Sequence, residues 1–211
     1  MADRPIRTAR IAAILVTINP AYQAAELRHA LNKAGVSLLF TARGFRDADY
    51  LAMLDQARAD CPDLRQIVVL DDEWESFLAE SARAEPRRLT EREATLDPSD
   101  AVNIQYTSGT TGLSKGATLS HRNILNNGHF TAEVLRYAEH DRVCVPVPFY
   151  HCFGMVLGNL AVMTHGACVV ARRVVRRPRR PHRCGGRTVH VTVRRPDHVH
   201  RPACGTRSRN V

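Results

Sequence analysis

Between residues 21 and 170 the chain switches repeatedly between two hydrophobic periods, and that switching limits the folds open to it. Ala24, Leu27, Leu31 and Ala34 recur at three- and four-residue spacing, and Gly35 follows where a helix stops, so residues 21–34 read as an amphipathic helix. The run VSLLF from Val36 reads as a short buried strand. The alternation repeats with a helix over 47–59, the apolar run QIVVL from Gln66 and a helix over 73–83. A polar, proline-containing connection (85–99) leads to a third strand, AVNIQY from Ala101. Farther on, Ser120 can cap a helix to about residue 138, residues 143–147 read as a strand, 153–163 as a buried helix, and ACVV from Ala167 as a strand. Helices alternating with short apolar strands predict an α/β fold, with layered helices around a largely parallel sheet.

At 211 residues, 44% of them hydrophobic, the chain can bury a sizeable core. Its formal charge of +9 would suggest a polyanionic partner if it were spread evenly, which it is not. Residues 172–211 hold 13 arginines and one acid, Asp197, for a net +12; residues 1–171 hold 17 basic and 20 acidic groups, for a net −3. Six cysteines (Cys61, Cys144, Cys152, Cys168, Cys184, Cys204) form no Cys-x-x-Cys pair and follow no cleavable apolar leader, which argues for a reducing, cytoplasmic setting. The longest apolar stretch, 143–163, is broken by Pro146, Pro148 and His151, so no transmembrane segment is expected. Peripheral contact with membranes would come through a greasy substrate.

The third strand delivers the chain into YTSGTTGLSKG, Tyr106 to Gly116. Thr107, Ser108, Thr110 and Thr111 crowd four hydroxyls beside Gly109 and Gly112, and Lys115 follows. Glycines let successive backbone N–H groups converge, hydroxyls add donors without bulk, and lysine adds positive charge, which together make a cradle for phosphates. A Walker loop needs glycine directly before the lysine, where Ser114 stands. The competing reading is a flexible Ser/Gly linker, and the preceding strand argues against it.

YTSGTTGLSKG closely resembles the phosphate-binding signature of the adenylate-forming (AMP-binding) acyl-CoA synthetase superfamily, and ATLSHRNILNNG from Ala117 resembles its fatty acyl-CoA synthetase branch. ILVTINPAYQAAELRHALNKAG from Ile14 and PFYHCFGMVLGNLAVMTHGA from Pro148 resemble two more blocks, so the likeness runs from about Arg7 to Val170. Ser114 replaces the family's usual proline, which loosens the loop without removing its donors. The resemblance implies ATP-dependent activation of a medium- or long-chain fatty acid to an acyl-adenylate, then transfer to coenzyme A. On that resemblance Thr107, Ser108, Gly109, Thr110, Thr111, Gly112 and Lys115 hold the ATP phosphates beside Mg²⁺, while Tyr150, His151 and Gly154 border the acyl and adenylate pocket. The implied partners are the small molecules fatty acid, ATP and CoA. His151 also reads as a satisfied core histidine, Asn19 and Pro20 as a plain turn, and Cys144 and Cys152 as small core residues.

From Arg172 the apolar periodicity ends, and three explanations compete. Electrostatic nucleic-acid binding is argued against by the absence of lysines and aromatics. A metal site built from Cys184, His190, His198, His200 and Cys204 lacks tight paired spacing. The third explanation is a slipped reading frame. Written as degenerate codons and displaced by one nucleotide, residues 188–200 can encode Cys-Thr-Ser-Leu-Tyr-Gly-Val-Pro-Thr-Met-Phe-Ile, which resembles the family's next block. Residues 1–171 are therefore expected to be a partial AMP-binding (adenylation) domain, and 172–211 an Arg-rich tail that is out of frame and disordered. No catalytic set is complete, since the resemblance places the family's acidic Mg²⁺ ligand, ribose-binding aspartate, hinge and C-terminal catalytic lysine beyond Val170. It also implies a further stretch of sheet and helix before Ile14. An inactive fragment is the expectation; the alternatives are a non-catalytic nucleotide- or phosphate-binding remnant, or nucleic-acid binding through the tail.

Overall fold

The structure, a computed structural model, describes residues 4–45, 47–81, 83–107, 113–170 and 192–194. The chain divides into two units, Met1–Ile124 with Phe149–Cys152, and Leu125–Pro148 with Phe153–Val211.

The first unit starts with helix α1 (Arg4–Arg10) and strand β1 (Leu15–Thr17). Asn19 and Pro20 do form a turn: the Asn19 side-chain carbonyl accepts the Ala21 N–H at 3.0 Å, which delays helix α2 to Ala24–Ala34. At its start the Glu26 carboxylate accepts the Gln23 N–H at 2.9 Å. At its end Gly35, at φ 58°, takes the left-handed conformation, and the N–H of Val36 closes onto the Leu31 carbonyl at 3.0 Å. Strand β2 (Leu38–Thr41) is followed by a two-strand hairpin, β3 (Gly44–Phe45) and β4 (Ala48–Asp49), then helix α3 (Tyr50–Arg58), capped by the Asp49 carboxylate. Strand β5 (Gln66–Val69) pairs parallel with β2. Leu31, Val36, Leu54, Cys61 and Leu64 are buried together between these elements, and burial pushes the Cys61 thiol pKa up. Helix α4 (Trp74–Ser81) sets Phe77 edge-on to Phe40 at 5.1 Å.

The stretch read as a plain connection contains helix α5 (Pro86–Glu93), which buries none of its residues. A proline in its first turn starts it without losing a hydrogen bond, and with no buried face it carries no apolar period to betray it. Strand β6 (Ala101–Thr107) lies between β1, to which it is parallel, and β7 (Lys115–Ser120), to which it is antiparallel. The pairing is therefore mixed rather than uniformly parallel, because the segment joining β6 to β7 is too short for a crossover helix. The Asn103 side-chain amide donates to the Leu15 carbonyl at 2.6 Å and pins the β1–β6 register.

Helix α6 (His121–Leu135) runs from the residues of the first unit into those of the second. In the second unit β8 (Arg142–Cys144) pairs parallel with a later strand, β9 (Cys168–Val170), and antiparallel with β10 (Thr192–Arg194). The strand expected over 143–147 stops early at Cys144, and Pro146 and Pro148, which follow, have no N–H to give a ladder. The buried helix expected over 153–163 is a π-helix (Phe153–Leu160) that tightens into helix α7 (Ala161–Thr164). A Cβ on Gly158 would sit 2.6 Å from a Val145 methyl, so glycine is what lets this helix approach the 145–148 segment. Tyr137, Val143, Val145, Met155, Ala161 and Val162 are buried in this unit. Cys152 is exposed and Cys144 only half-buried, which corrects their reading as core residues. No helix among the described residues is long and apolar enough to cross a membrane. The tail residues 172–191 and 195–211, with the candidate ligands Cys184, His190, His198, His200 and Cys204, lie outside the described residues.

Candidate functional site

The β6–β7 hairpin holds the two ends of the hydroxyl-rich loop together. Thr107 and Lys115 are directly opposed across the ladder, and the Thr107 hydroxyl donates to the Lys115 carbonyl at 3.4 Å. Both residues are exposed. Ser108, Gly109, Thr110, Thr111 and Gly112 lie outside the described residues, so it is the stem of the loop that the structure places.

Helix α2 anchors that stem at two points. The Tyr106 hydroxyl donates to the Ala30 carbonyl at 2.7 Å, and the His29 Nε2 lies 3.1 Å from the Ser114 carbonyl, which can only accept. That contact selects the tautomer, or the cation, carrying a proton on Nε2. Burial, reinforced by the nearby Tyr22, raises the Tyr106 pKa above its ordinary value and keeps the ring a neutral donor. Gly116 is small for a local reason: a Cβ there would come within 3.1 Å of an Ile104 methyl and 3.4 Å of the Tyr106 ring. On β6, Val102, Ile104 and Tyr106 alternate with Asn103 and Gln105, which are 1% and 6% exposed. Two buried polar side chains on one face of a strand are costly unless they have partners, and Asn103 has one in the Leu15 carbonyl. Both Asn103 and His29 escaped the sequence reading. The polar position in an otherwise apolar strand was a usable signal for Asn103; a lone histidine in a helical period offered none for His29.

Tyr150 and His151 sit in the turn Phe149–Cys152, which belongs to the same unit as the hairpin. Tyr150 is half-buried and His151 exposed, so His151 is not a core histidine; its Nδ1 lies 3.6 Å from the Cys152 thiol. Gly154 belongs to the other unit and is buried. A Cβ there would stand 2.3 Å from the Pro148 carbonyl oxygen, so backbone packing alone demands glycine at this position. Thr107 and Lys115 are thus the sequence-predicted site residues that the structure joins by a direct contact.

The β6–β7 strand pair closes the base of the hydroxyl-rich loop, and it is the comparisons with known proteins that place the chain in the adenylate-forming class. The family described as AMP-binding enzyme matches residues 8–194, and the chain belongs to that family. The acyl-CoA ligase SID4 of Ajellomyces capsulatus is 37% identical over 173 residues, covering 77% of this chain and 29% of that protein. The mitochondrial medium-chain acyl-CoA ligase ACSF2 of Danio rerio is 36% identical over 184 residues, covering 77% of this chain and 30% of that protein. Among solved structures, apo MbtA of Mycobacterium smegmatis superposes with a TM-score of 0.65 at 28% identity, over 78% of this chain and 30% of that one. The chain thus spans about a third of the length of the relatives it matches.

Proposed function

We propose that this chain carries the phosphate-binding and part of the acyl-binding apparatus of an enzyme that activates a medium- or long-chain fatty acid with ATP and passes it to coenzyme A. The observation that carries the reading is the closed loop base: Thr107 opposed to Lys115, on a hairpin tied to helix α2 through Tyr106 and His29. The name of the medium-chain acyl-CoA ligase relative supports the acyl class.

A carboxylate is a poor electrophile, so the acid oxygen attacks the α-phosphorus of ATP while the α–β bridging bond breaks and pyrophosphate leaves. The thiol of CoA then attacks the acyl carbon and AMP departs. Loop donors and the Lys115 ammonium would stabilise the charge that builds on the leaving pyrophosphate. The Thr107 oxygen keeps lone pairs free for a cation, but residues 106–116 include no carboxylate, so Mg²⁺ would be held chiefly by the phosphates it shields. On the same reading Tyr150 and His151 would wall the acyl and adenylate end.

In the same reading the frame changes near Ala171 and residues 172–211 have no evolved role. The break in charge from −3 to +12 supports it, while the family match extends past that point to residue 194. Resequencing the DNA from His165 onward decides: restored ligase-like text in the displaced frame upholds it, and its absence makes the tail a genuine appendage. For the 211-residue polypeptide by itself the expected outcome is weak MgATP binding by calorimetry with no acid-dependent pyrophosphate exchange, and Lys115→Ala should weaken the binding. Failure to bind MgATP in a folded sample would overturn the phosphate-site reading.

A further inference from the structure

We propose that His129, Glu133 and His165, in the second unit, form a binding site for a divalent transition-metal ion, Zn²⁺ fitting best. The site shares no residue with the proposed ATP-binding apparatus. His129 and Glu133 lie four residues apart on α6, so they share a helical face, and His165 is supplied by the turn after α7. Their ligand atoms all lie within 4.8 Å of one another.

The contacts around His165 orient its ring so that Nε2 faces the other two side chains. The Thr164 hydroxyl has one proton, which it donates to the Ala161 carbonyl at 2.8 Å. It can therefore only accept from His165 Nδ1, 3.1 Å away, so Nδ1 carries a proton, in the neutral tautomer or in the cation. The other ring nitrogen, Nε2, then faces a Glu133 carboxylate oxygen at 3.0 Å. A proton on Nε2 satisfies this contact, and a metal ion bound by both atoms would satisfy it equally. The His129 Nε2 approaches the same carboxylate oxygen at 3.9 Å, beyond hydrogen-bond range, with its ring stacked on that of His165 at 5.3 Å. In a tetrahedral zinc site with bonds of about 2.0–2.1 Å, ligand atoms stand about 3.3 Å apart, and the two observed separations bracket that value. Two imidazoles and a carboxylate with a fourth position open to water suit Zn²⁺, and Thr164 supplies the outer hydrogen bond that orients a ligating histidine. The bound ion would clasp α6 to the turn that leads into β9.

The test titrates Co²⁺, displaced by Zn²⁺, into the full 211-residue protein and into His129→Gln, Glu133→Gln, His165→Gln and Thr164→Val variants. The expected result is a tetrahedral ligand-field band in the parent that the three ligand variants lose, with affinity about tenfold lower in Thr164→Val. The side chains of His129 and Glu133 are 50% and 59% exposed, so their substitution leaves packing intact, and circular dichroism checks each variant. Histidines and cysteines of the tail are present in every sample, so a band retained by the ligand variants would assign the metal to the tail and overturn the proposal. A parent without any band would overturn it too, leaving the cluster as an imidazolium–carboxylate pair.

Discussion

Tyr106 ends the buried part of β6 and fixes where the loop departs, because its hydroxyl is spent on the Ala30 carbonyl of α2. Tyr106→Phe removes that bond and should cost about 1 kcal/mol in urea unfolding. Its pH dependence has a definite sign. The folded-state pKa lies above the unfolded value, so the contribution is full below the ordinary tyrosine range and is lost as pH rises through the raised value. Between neutral pH and about pH 11 the parent should therefore lose more stability than Tyr106→Phe. Part of the slope will remain, since burial raises Tyr50 and Tyr137 as well. At this scale the segment holding Thr107 and Lys115 stands out in the sequence by its crowded hydroxyls, glycines and lysine, and the structure adds that the two residues are opposed across the ladder. His29 does not stand out, because its partner, Ser114, lies 85 residues away in the chain.

Elements were legible where they had both a buried stripe and a local stop signal. Helix α2 has both, ending at Gly35, whereas α5 buries nothing and went unread. The start of α6 was read from Ser120, and the structure supplies the reason. The Ser120 hydroxyl accepts the Asn123 N–H at 3.2 Å, the Asn123 side-chain carbonyl accepts the Ser120 N–H at 3.0 Å, and the carbonyls of Asp100 and Pro98 accept from His121 and Arg122. Replacing Ser120 with alanine should cost about 1 kcal/mol in thermal or urea unfolding, whereas Ser120→Asp should recover most of it. The π-helical stretch could not have been read from periodicity, because an extra residue per turn is a response to packing, here to the close approach that Gly154 and Gly158 permit.

For the whole molecule, charge is the property with a direct readout. A chain ending at Val170 drops the residues that carry +12, so retention on DNA or heparin at low salt should belong to the full-length chain and vanish in the shorter one. Retention by the shorter chain would move the basic surface into residues 1–170. Sequence alone determined the α/β class, the order of most helices and strands, the family and the position of the hydroxyl- and glycine-rich loop, because hydrophobic period, capping residues and glycine clusters act over a few neighbouring residues. Only the tertiary structure decided that β7 folds back antiparallel, that His29 and Tyr106 tie the loop's stem to α2, and that His129, Glu133 and His165 converge. Those facts are pairings between segments up to 85 residues apart, set by which surfaces can be buried against each other, and no local pattern encodes them.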